Sequence, residues 1–120
     1  EMTGELGPLD WKFIKEVNAD IEKNLQKTEY NINALSASLC MSRTSFYNKI
    51  KALTGQAPSE YVRLIRLKHA ARMLKDGVYN ITEVAERTGF NDPKYFREVF
   101  KKYYKVAPSQ YASGESSYTV

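Results

Sequence analysis

The chain holds one cysteine and one histidine among its 120 residues, with only four prolines and six glycines. A single thiol excludes an internal disulfide and favours a reducing compartment. A single imidazole argues against a histidine-rich metal site or histidine-based catalysis. No apolar run reaches the length that crosses a bilayer, and no secretory leader is visible. We therefore expect a cytoplasmic protein that is not an enzyme and that binds neither cofactor nor metal.

Charge is divided unevenly along the chain. Residues 1–30 hold four lysines and seven acids, a net charge of −3, whereas residues 31–120 hold fourteen Lys or Arg and seven acids, a net charge of +7. A basic surface attracts polyanions, chiefly nucleic acid or anionic lipid. Apolar residues make up 42% of the sequence, which is enough for a packed interior. Sparse Gly and Pro between apolar-periodic segments favour an all-α fold.

The acidic start of the chain predicts a loose end followed by a leading helix. Asp10 is expected to cap this helix, which then runs from Trp11 to about Lys27. Apolar residues at spacings of three and four, from Ile14 to Leu25, form its inner stripe. Two interpretations of this stripe stay open, since it either packs on the body of the domain or forms a connector or dimer contact to a preceding module.

Two helix-turn-helix units follow the leading helix. The predicted fold class is all-α, with two helix-turn-helix subdomains joined by a long central helix and about seven helices beside the leading one. The expected divisions are a leading segment and connector helix at 1–27, a first helix-turn-helix unit at 28–57, a linker helix at 58–77, a second helix-turn-helix unit at 78–112 and a frayed tail at 113–120.

An internal repeat relates the two units. The segment 31–61, NINALSASLCMSRTSFYNKIKALTGQAPSEY, aligns with 80–111, NITEVAERTGFNDPKYFREVFKKYYKVAPSQY, shifted by 49 residues in its first helix and 50 from its second. A helix-turn-helix needs a small residue where its helices cross and a tolerant residue in the turn four positions later. Ser36 and Cys40 meet this need in the first copy, as Ala85 and Gly89 do in the second. Cys40 is therefore expected to be a small buried residue.

The second helix of each unit has a predicted inner stripe, and its ends carry capping residues. Ser42 and Asp92 are expected to cap these helices at their N-termini, and Gly55 is expected to stop the first of them. The inner stripes are Phe46, Ile50 and Leu53 in the first unit, and Phe96, Val99, Phe100 and Tyr103 in the second.

Outward positions on these second helices suit the major groove of DNA. The expected base-contacting residues are Thr44, Tyr47, Asn48, Lys94, Arg97 and Glu98. The expected phosphate-contacting residues are Arg43, Lys49, Lys51, Lys101, Lys102 and Lys105. An Asn amide pairs with adenine, an Arg guanidinium pairs with guanine, and the Thr44 methyl can touch a thymine methyl. The Glu either selects a cytosine amino group or repels phosphate. We thus expect the first unit to supply more of the sequence reading and the second more of the phosphate anchoring.

Residues 31–111 resemble the DNA-binding domain of the AraC/XylS family of transcription regulators. The resemblance rests on Met41-Ser42-Arg43, Leu53-Thr54-Gly55, Arg66-Leu67, Ala85, Gly89-Phe90-Asn91-Asp92, Tyr95-Phe96, Phe100-Lys101-Lys102 and Pro108-Ser109-Gln110-Tyr111. It implies seven helices, two recognition helices, double-stranded DNA as a partner, and activation of transcription through contact with RNA polymerase. One departure is Lys105, which stands where the family usually has Gly.

Within that family the chain is most similar to C-terminal output domains of hybrid two-component sensors that respond to carbohydrates. Lys12-Phe13-Ile14, Ile21-Glu22-Lys23-Asn24-Leu25 and the run from Tyr47 to Gly55 carry this narrower likeness. It implies a homodimer formed through preceding domains and a place at the cytoplasmic end of a membrane-anchored sensor, with no membrane contact by this segment. The alternative function is a helical protein–protein interaction module without direct DNA contact.

Overall fold

The computed structural model describes residues 7–114, which form seven α-helices and no strand within that range. The helices are α1 (Pro8–Lys23), α2 (Ile32–Ser38), α3 (Arg43–Thr54), α4 (Pro58–Asp76), α5 (Ile81–Arg87), α6 (Pro93–Tyr104) and α7 (Pro108–Ala112). The expected all-α class is confirmed, and α1 is the leading helix. Of the loose end expected at residues 1–9, residues 1–6 lie outside the described residues, whereas Pro8 and Leu9 belong to α1. Of the tail expected at 113–120, residues 115–120 lie outside the described residues.

The chain forms two compact units, and the boundary between them falls between Ile65 and Arg66, inside α4. The first unit contains α1, α2, α3 and the first half of α4. The second contains the rest of α4 together with α5, α6 and α7. Each unit therefore holds one pair of helices joined by a tight turn.

The leading helix α1 forms a wall of the first unit. Ile14, Val17 and Ile21 are fully buried, and the Phe13 ring lies 6.1 Å from the Phe46 ring of α3. The stripe therefore packs within this unit, in agreement with the first of the two interpretations. The predicted bounds were wrong, because Pro at the first helical position allows an earlier start at Pro8.

The end and the cap of α1 also differ from the expectation. The N-cap is Gly7, without a side-chain hydrogen bond, so Asp10 lies in the first turn and does not cap the helix. The helix ends at Lys23, four residues before the expected end, and Asn24 is its C-cap. The Asn24 side-chain amide donates to the Asp20 carbonyl at 2.8 Å, which satisfies an end carbonyl as the helix stops.

A polar contact joins α1 to the start of α4 in the first unit. The Tyr61 hydroxyl donates to Asn18 Oδ1 at 2.7 Å. Burial raises the pKa of the Tyr61 phenol above its ordinary value of 10.0, because a buried site disfavours the charged phenolate. Because the folded state favours the neutral phenol, its contribution to stability is present below about pH 10 and is lost at higher pH.

The core of the second unit is aromatic. Phe96 and Phe100 are fully buried, with ring centroids 5.7 Å apart, and the Phe90 ring lies 5.0 Å from Phe96. The prediction that Tyr103 belongs to the inner stripe was wrong, because its side chain is 44% exposed. Tyr104 takes that place instead, with its ring 4.6 Å from Phe100. The reason is α7, whose Tyr111 ring lies 5.1 Å from Tyr104 and covers it.

A buried arginine connects α4 to the end of α5 in the second unit. Arg66 is 7% exposed, and its Nη1 donates to the Thr88 carbonyl at 2.8 Å. Thr88 is the C-cap of α5, where the helix dipole places partial negative charge. The guanidinium therefore fixes the residue that leads into the turn before α6.

The helix ends confirm most of the capping predictions. The Ser45 amide donates to Ser42 Oγ at 3.1 Å, and the Lys94 amide donates to Asp92 Oδ1 at 3.0 Å. Gly55 closes α3 in the left-handed region at φ 75°, as expected. Lys105 closes α6 at the equivalent position with φ 70°, and its amide donates to the Lys101 carbonyl at 2.7 Å. The side chain is thus Lys, but the backbone follows the geometry of Gly55.

Lys105→Gly is expected to raise the free energy of unfolding by about 1 kcal/mol, since an L-residue pays a steric cost at positive φ that Gly avoids. Urea titration followed by circular dichroism measures the change. Lys102→Gly is the matched control, because it makes the same substitution inside α6 and should cost about 1 kcal/mol. A Lys105→Gly protein less stable than the wild type would contradict the expectation.

Candidate nucleic-acid interface

Helix α3 presents four side chains on one exposed face. Buried Phe46 and Ile50 fix its opposite side in the core of the first unit. The side chains that face solvent are Thr44, Tyr47, Asn48 and Lys51, and the tyrosine is 46% exposed. At 100° per residue these four positions fall within a sector of about 100°. The sector offers a methyl, a phenol, an amide and an ammonium to whatever binds there.

Helix α6 presents the same four positions, shifted by 50 residues. Buried Phe96 and Phe100 anchor it in the core of the second unit. The equivalent exposed side chains are Lys94, Arg97, Glu98 and Lys101. This face is strongly charged, with three cations around one carboxylate. The structure thus brings together, within each unit, every residue expected to contact bases.

The residues expected to contact phosphate do not all share these faces. Arg43, Lys102 and Lys105 are exposed, as are Lys51 and Lys101. Lys49 lies elsewhere, because it is half-buried and its Nζ stands 4.7 Å from the centroid of the Phe13 ring. Its ammonium is therefore held against α1 by a cation–π contact. Sequence reasoning assigned it by charge alone and could not see that α1 lies beside it.

The two turns before the recognition helices have the same backbone hydrogen bond. The Met41 amide donates to the Ser36 carbonyl at 3.0 Å, and the Phe90 amide donates to the Ala85 carbonyl at 2.9 Å. Gly89 takes φ 86° in its turn, and Cys40 takes φ 57° at the equivalent position. The expectation that Cys40 is buried was wrong, since its side chain is exposed. A left-handed residue at the tip of a tight turn directs its side chain outward.

A shallow groove opens beside the exposed face of α3. It is lined by Ile32 at the start of α2 and by Arg43, Thr44 and Tyr47 of α3. Sequence reasoning missed the part that Ile32 plays here, because it looked for contacting side chains only on the second helix of each unit. The side chain is in fact half-buried, so part of it remains available to the groove. The sequence signal for this partial exposure is that Ile32 is the first residue of α2, because few residues of the same helix lie on its N-terminal side.

Metal clusters and membrane-spanning helices are absent from the part of the chain that the structure describes. Between residues 7 and 114, no group of three or more His, Cys, Asp or Glu is arranged to hold a metal ion. None of the helices described is long and apolar enough to cross a bilayer. The exposed faces of α3 and α6 form the candidate site.

Comparison with known proteins shows the family of this chain. A helix-turn-helix domain family matches residues 35–114. The histidine kinase P4 of Formosa agariphila is 37% identical over 106 residues, which cover 88% of this chain and 8% of the kinase. This chain spans between 8% and 35% of the length of four curated relatives that it matches.

Two solved structures share both the fold and a measurable part of the sequence. The C-terminal domain of AraT, a response regulator from Geobacillus stearothermophilus, superposes with a TM-score of 0.77 at 27% identity, covering 98% of this chain and 95% of that domain. The DNA-binding domain of the global transcriptional factor AdpA, solved in complex with a target DNA, gives a TM-score of 0.76 at 31% identity, covering 84% and 90%. This chain belongs to the AraC-type helix-turn-helix family and is the DNA-binding domain of a transcription regulator.

Proposed function

We propose that α3 and α6 enter two adjacent major-groove segments of double-stranded DNA, about 10 base pairs apart. The observation that carries the proposal is the recurrence of four exposed positions on both helices, each opposite a fully buried aromatic anchor. The two faces carry different side chains, so the site of a single copy is not palindromic.

The chemistry of each face assigns it a role. On α3, the Asn48 amide suits adenine, whose N6 and N7 form a donor–acceptor pair in the major groove. On α6, Arg97 suits guanine, and Glu98 accepts a hydrogen bond from the cytosine amino group. Glu98 also repels phosphate, which restricts how α6 can lie in the groove. The first unit therefore supplies more of the sequence reading and the second more of the phosphate anchoring.

Salt dependence of binding tests this proposal against the alternative of a protein interaction module. Neutralising about six phosphates predicts a slope near −5 for the logarithm of the association constant against the logarithm of salt concentration. Lys102→Ala should reduce this slope by about 1 on every sequence. Lys15→Ala is the matched control, since it removes an exposed lysine from acidic α1. A flat salt response would favour the interaction module instead.

Asn48→Ala is expected to cost about 1–3 kcal/mol of binding on the preferred duplex and to relax preference at one base pair. The physical reason is the loss of a bidentate amide contact to adenine. Selection from a random duplex pool, followed by affinity measurements on selected and random duplexes, gives the result. Asn33→Ala on α2 is the control, since Asn33 is exposed and lies outside the recognition helix. Equal losses on selected and random duplexes would show that Asn48 does not read a base.

We also propose that this domain is the output end of a hybrid two-component sensor that activates transcription in response to carbohydrates. The likeness to histidine kinase P4 and to the C-terminal domain of the response regulator AraT supports this assignment. In this proposal activation proceeds through contact with RNA polymerase, and dimerisation occurs through other domains. Transcription in vitro from a promoter that carries the selected site tests the activating role. Unchanged transcript levels when the whole protein is added would contradict it.

A further inference from the structure

The groove beside α3 is lined by three side chains that carry apolar groups and by one cationic side chain. Ile32 supplies a branched aliphatic side chain, Thr44 a methyl group and Tyr47 a ring that is 46% exposed. Arg43, the first residue of α3, supplies the single cation of the lining. These groups lie next to Asn48, which the proposed function assigns to a base edge. The groove would therefore face the same base pairs as the recognition helix.

The chemistry of this lining selects among the groups that the major groove displays. The four base pairs present acceptors, amino donors and one apolar group, which is the C5 methyl of thymine. An aliphatic side chain, a threonine methyl and an aromatic ring offer such a methyl contact without requiring a hydrogen bond. A phosphate would find only one cation here. A small metabolite would stay largely uncovered, because sites for such ligands enclose most of the ligand surface.

The second unit differs at the equivalent positions. Ile81 stands for Ile32, but Pro93, Lys94 and Arg97 replace Arg43, Thr44 and Tyr47. The long cationic side chains of Lys94 and Arg97 thus stand at the positions of the Thr44 methyl and the Tyr47 ring. The apolar lining is accordingly a property of the first unit and not of the repeat.

We infer that the groove formed by Ile32, Arg43, Thr44 and Tyr47 reads the 5-methyl group of a thymine. This inference rests on the proposed function, and it adds a specificity element to the first unit. The thymine lies beside the base pair that Asn48 contacts, so the first unit prefers an A·T-rich segment. Arg43, the one cation of the lining, holds the neighbouring phosphate.

Replacing single thymines by deoxyuridine in the selected duplex tests the inference. Deoxyuridine keeps every hydrogen bond of the base pair and lacks only the methyl group. At one thymine position, the wild-type chain should bind the deoxyuridine duplex about four-fold more weakly than the selected duplex. This factor corresponds to about 0.8 kcal/mol for one buried methyl group. Fluorescence anisotropy at fixed salt measures each affinity.

Variants of the groove separate this effect from general DNA binding. Thr44→Ser removes one lining methyl and keeps the hydroxyl, and Tyr47→Ala removes the ring; both side chains are exposed, so neither change disturbs the core. Each variant should lose the deoxyuridine effect, whereas Lys15→Ala should retain it. An unchanged effect in both groove variants, or no sensitive thymine in the wild-type site, would overturn the inference while DNA binding stands. Failure to bind any duplex would instead overturn the proposed function, and this inference with it.

Discussion

Phe96→Ala is expected to lower the free energy of unfolding of the second unit by about 3–5 kcal/mol. Phe96 is fully buried, and its ring contacts both Phe90 and Phe100 at centroid distances of 5.0 and 5.7 Å. Removing it leaves a cavity between α5, α6 and the turn that joins them. Domains of this size have about 5–15 kcal/mol of stability, so the loss is a large part of the total.

The effect on function follows from the same geometry. Without this anchor, Phe100 is the one fully buried aromatic residue left on α6 to fix the rotation that places Arg97 and Glu98 outward. The free energy of unfolding, measured by urea titration, and the affinity for duplex DNA should therefore fall together. Tyr95→Ala is the matched control, because Tyr95 is the adjacent aromatic residue and is 43% exposed. Tyr95→Ala should lower the free energy of unfolding by about 1 kcal/mol. A decrease as large as that of Phe96→Ala would show that burial does not explain the effect.

Arg66→Met is expected to cost about 2–3 kcal/mol of stability. The substitution keeps an apolar stem of similar length but removes the charged donor to the Thr88 carbonyl, which lies 2.8 Å from Nη1. Charge-assisted hydrogen bonds contribute about 1.5–3 kcal/mol, and a buried acceptor that loses its donor costs a similar amount. Arg66→Lys should recover only part of the loss, since an ammonium cannot reproduce the planar fork of a guanidinium.

Hydrogen exchange gives a second measurement of this contact. Arg66→Met should speed amide exchange in the turn from Thr88 to Phe90 more than in the middle of α6, because the turn loses the group that fixes it. Arg72→Met is the matched control, since Arg72 lies on the same helix and is exposed. It should change stability by about 0.5 kcal/mol or less. Equal effects of the two variants would show that the buried contact contributes little.

Local chemistry in the sequence was enough to predict both ends of α3, the start of α6 and the faces that these two helices present. Ser42 and Asp92 cap their helices because a side-chain oxygen after a turn can reach a free amide two or three residues later. Buried Phe46 and Phe96 could be predicted from spacing alone, and they determine which neighbours face outward. These features depend on few residues that are close in the chain, and so a single sequence contains them.

Features that depend on a distant element could not be predicted in the same way. Tyr103 and Tyr104 are neighbours in α6, and only the position of α7 decides which of them is covered. Lys49 has the charge of a phosphate ligand, but α1 offers the Phe13 ring to its ammonium. The groove next to Thr44 exists because Ile32 begins α2 beside it. Each of these outcomes needs a partner that the local pattern does not name.

The division of α4 between the two units has a consequence for how the domain folds. The helix has 19 residues, and the unit boundary between Ile65 and Arg66 leaves each unit with a segment shorter than about 12 residues. Isolated helices of that length are marginal in water, so each half depends on continuation into the other. Melting one unit would fray the helix that completes its neighbour. The two units thus share a single cooperative element, and a polypeptide cut at the boundary would yield two incomplete halves rather than two smaller domains.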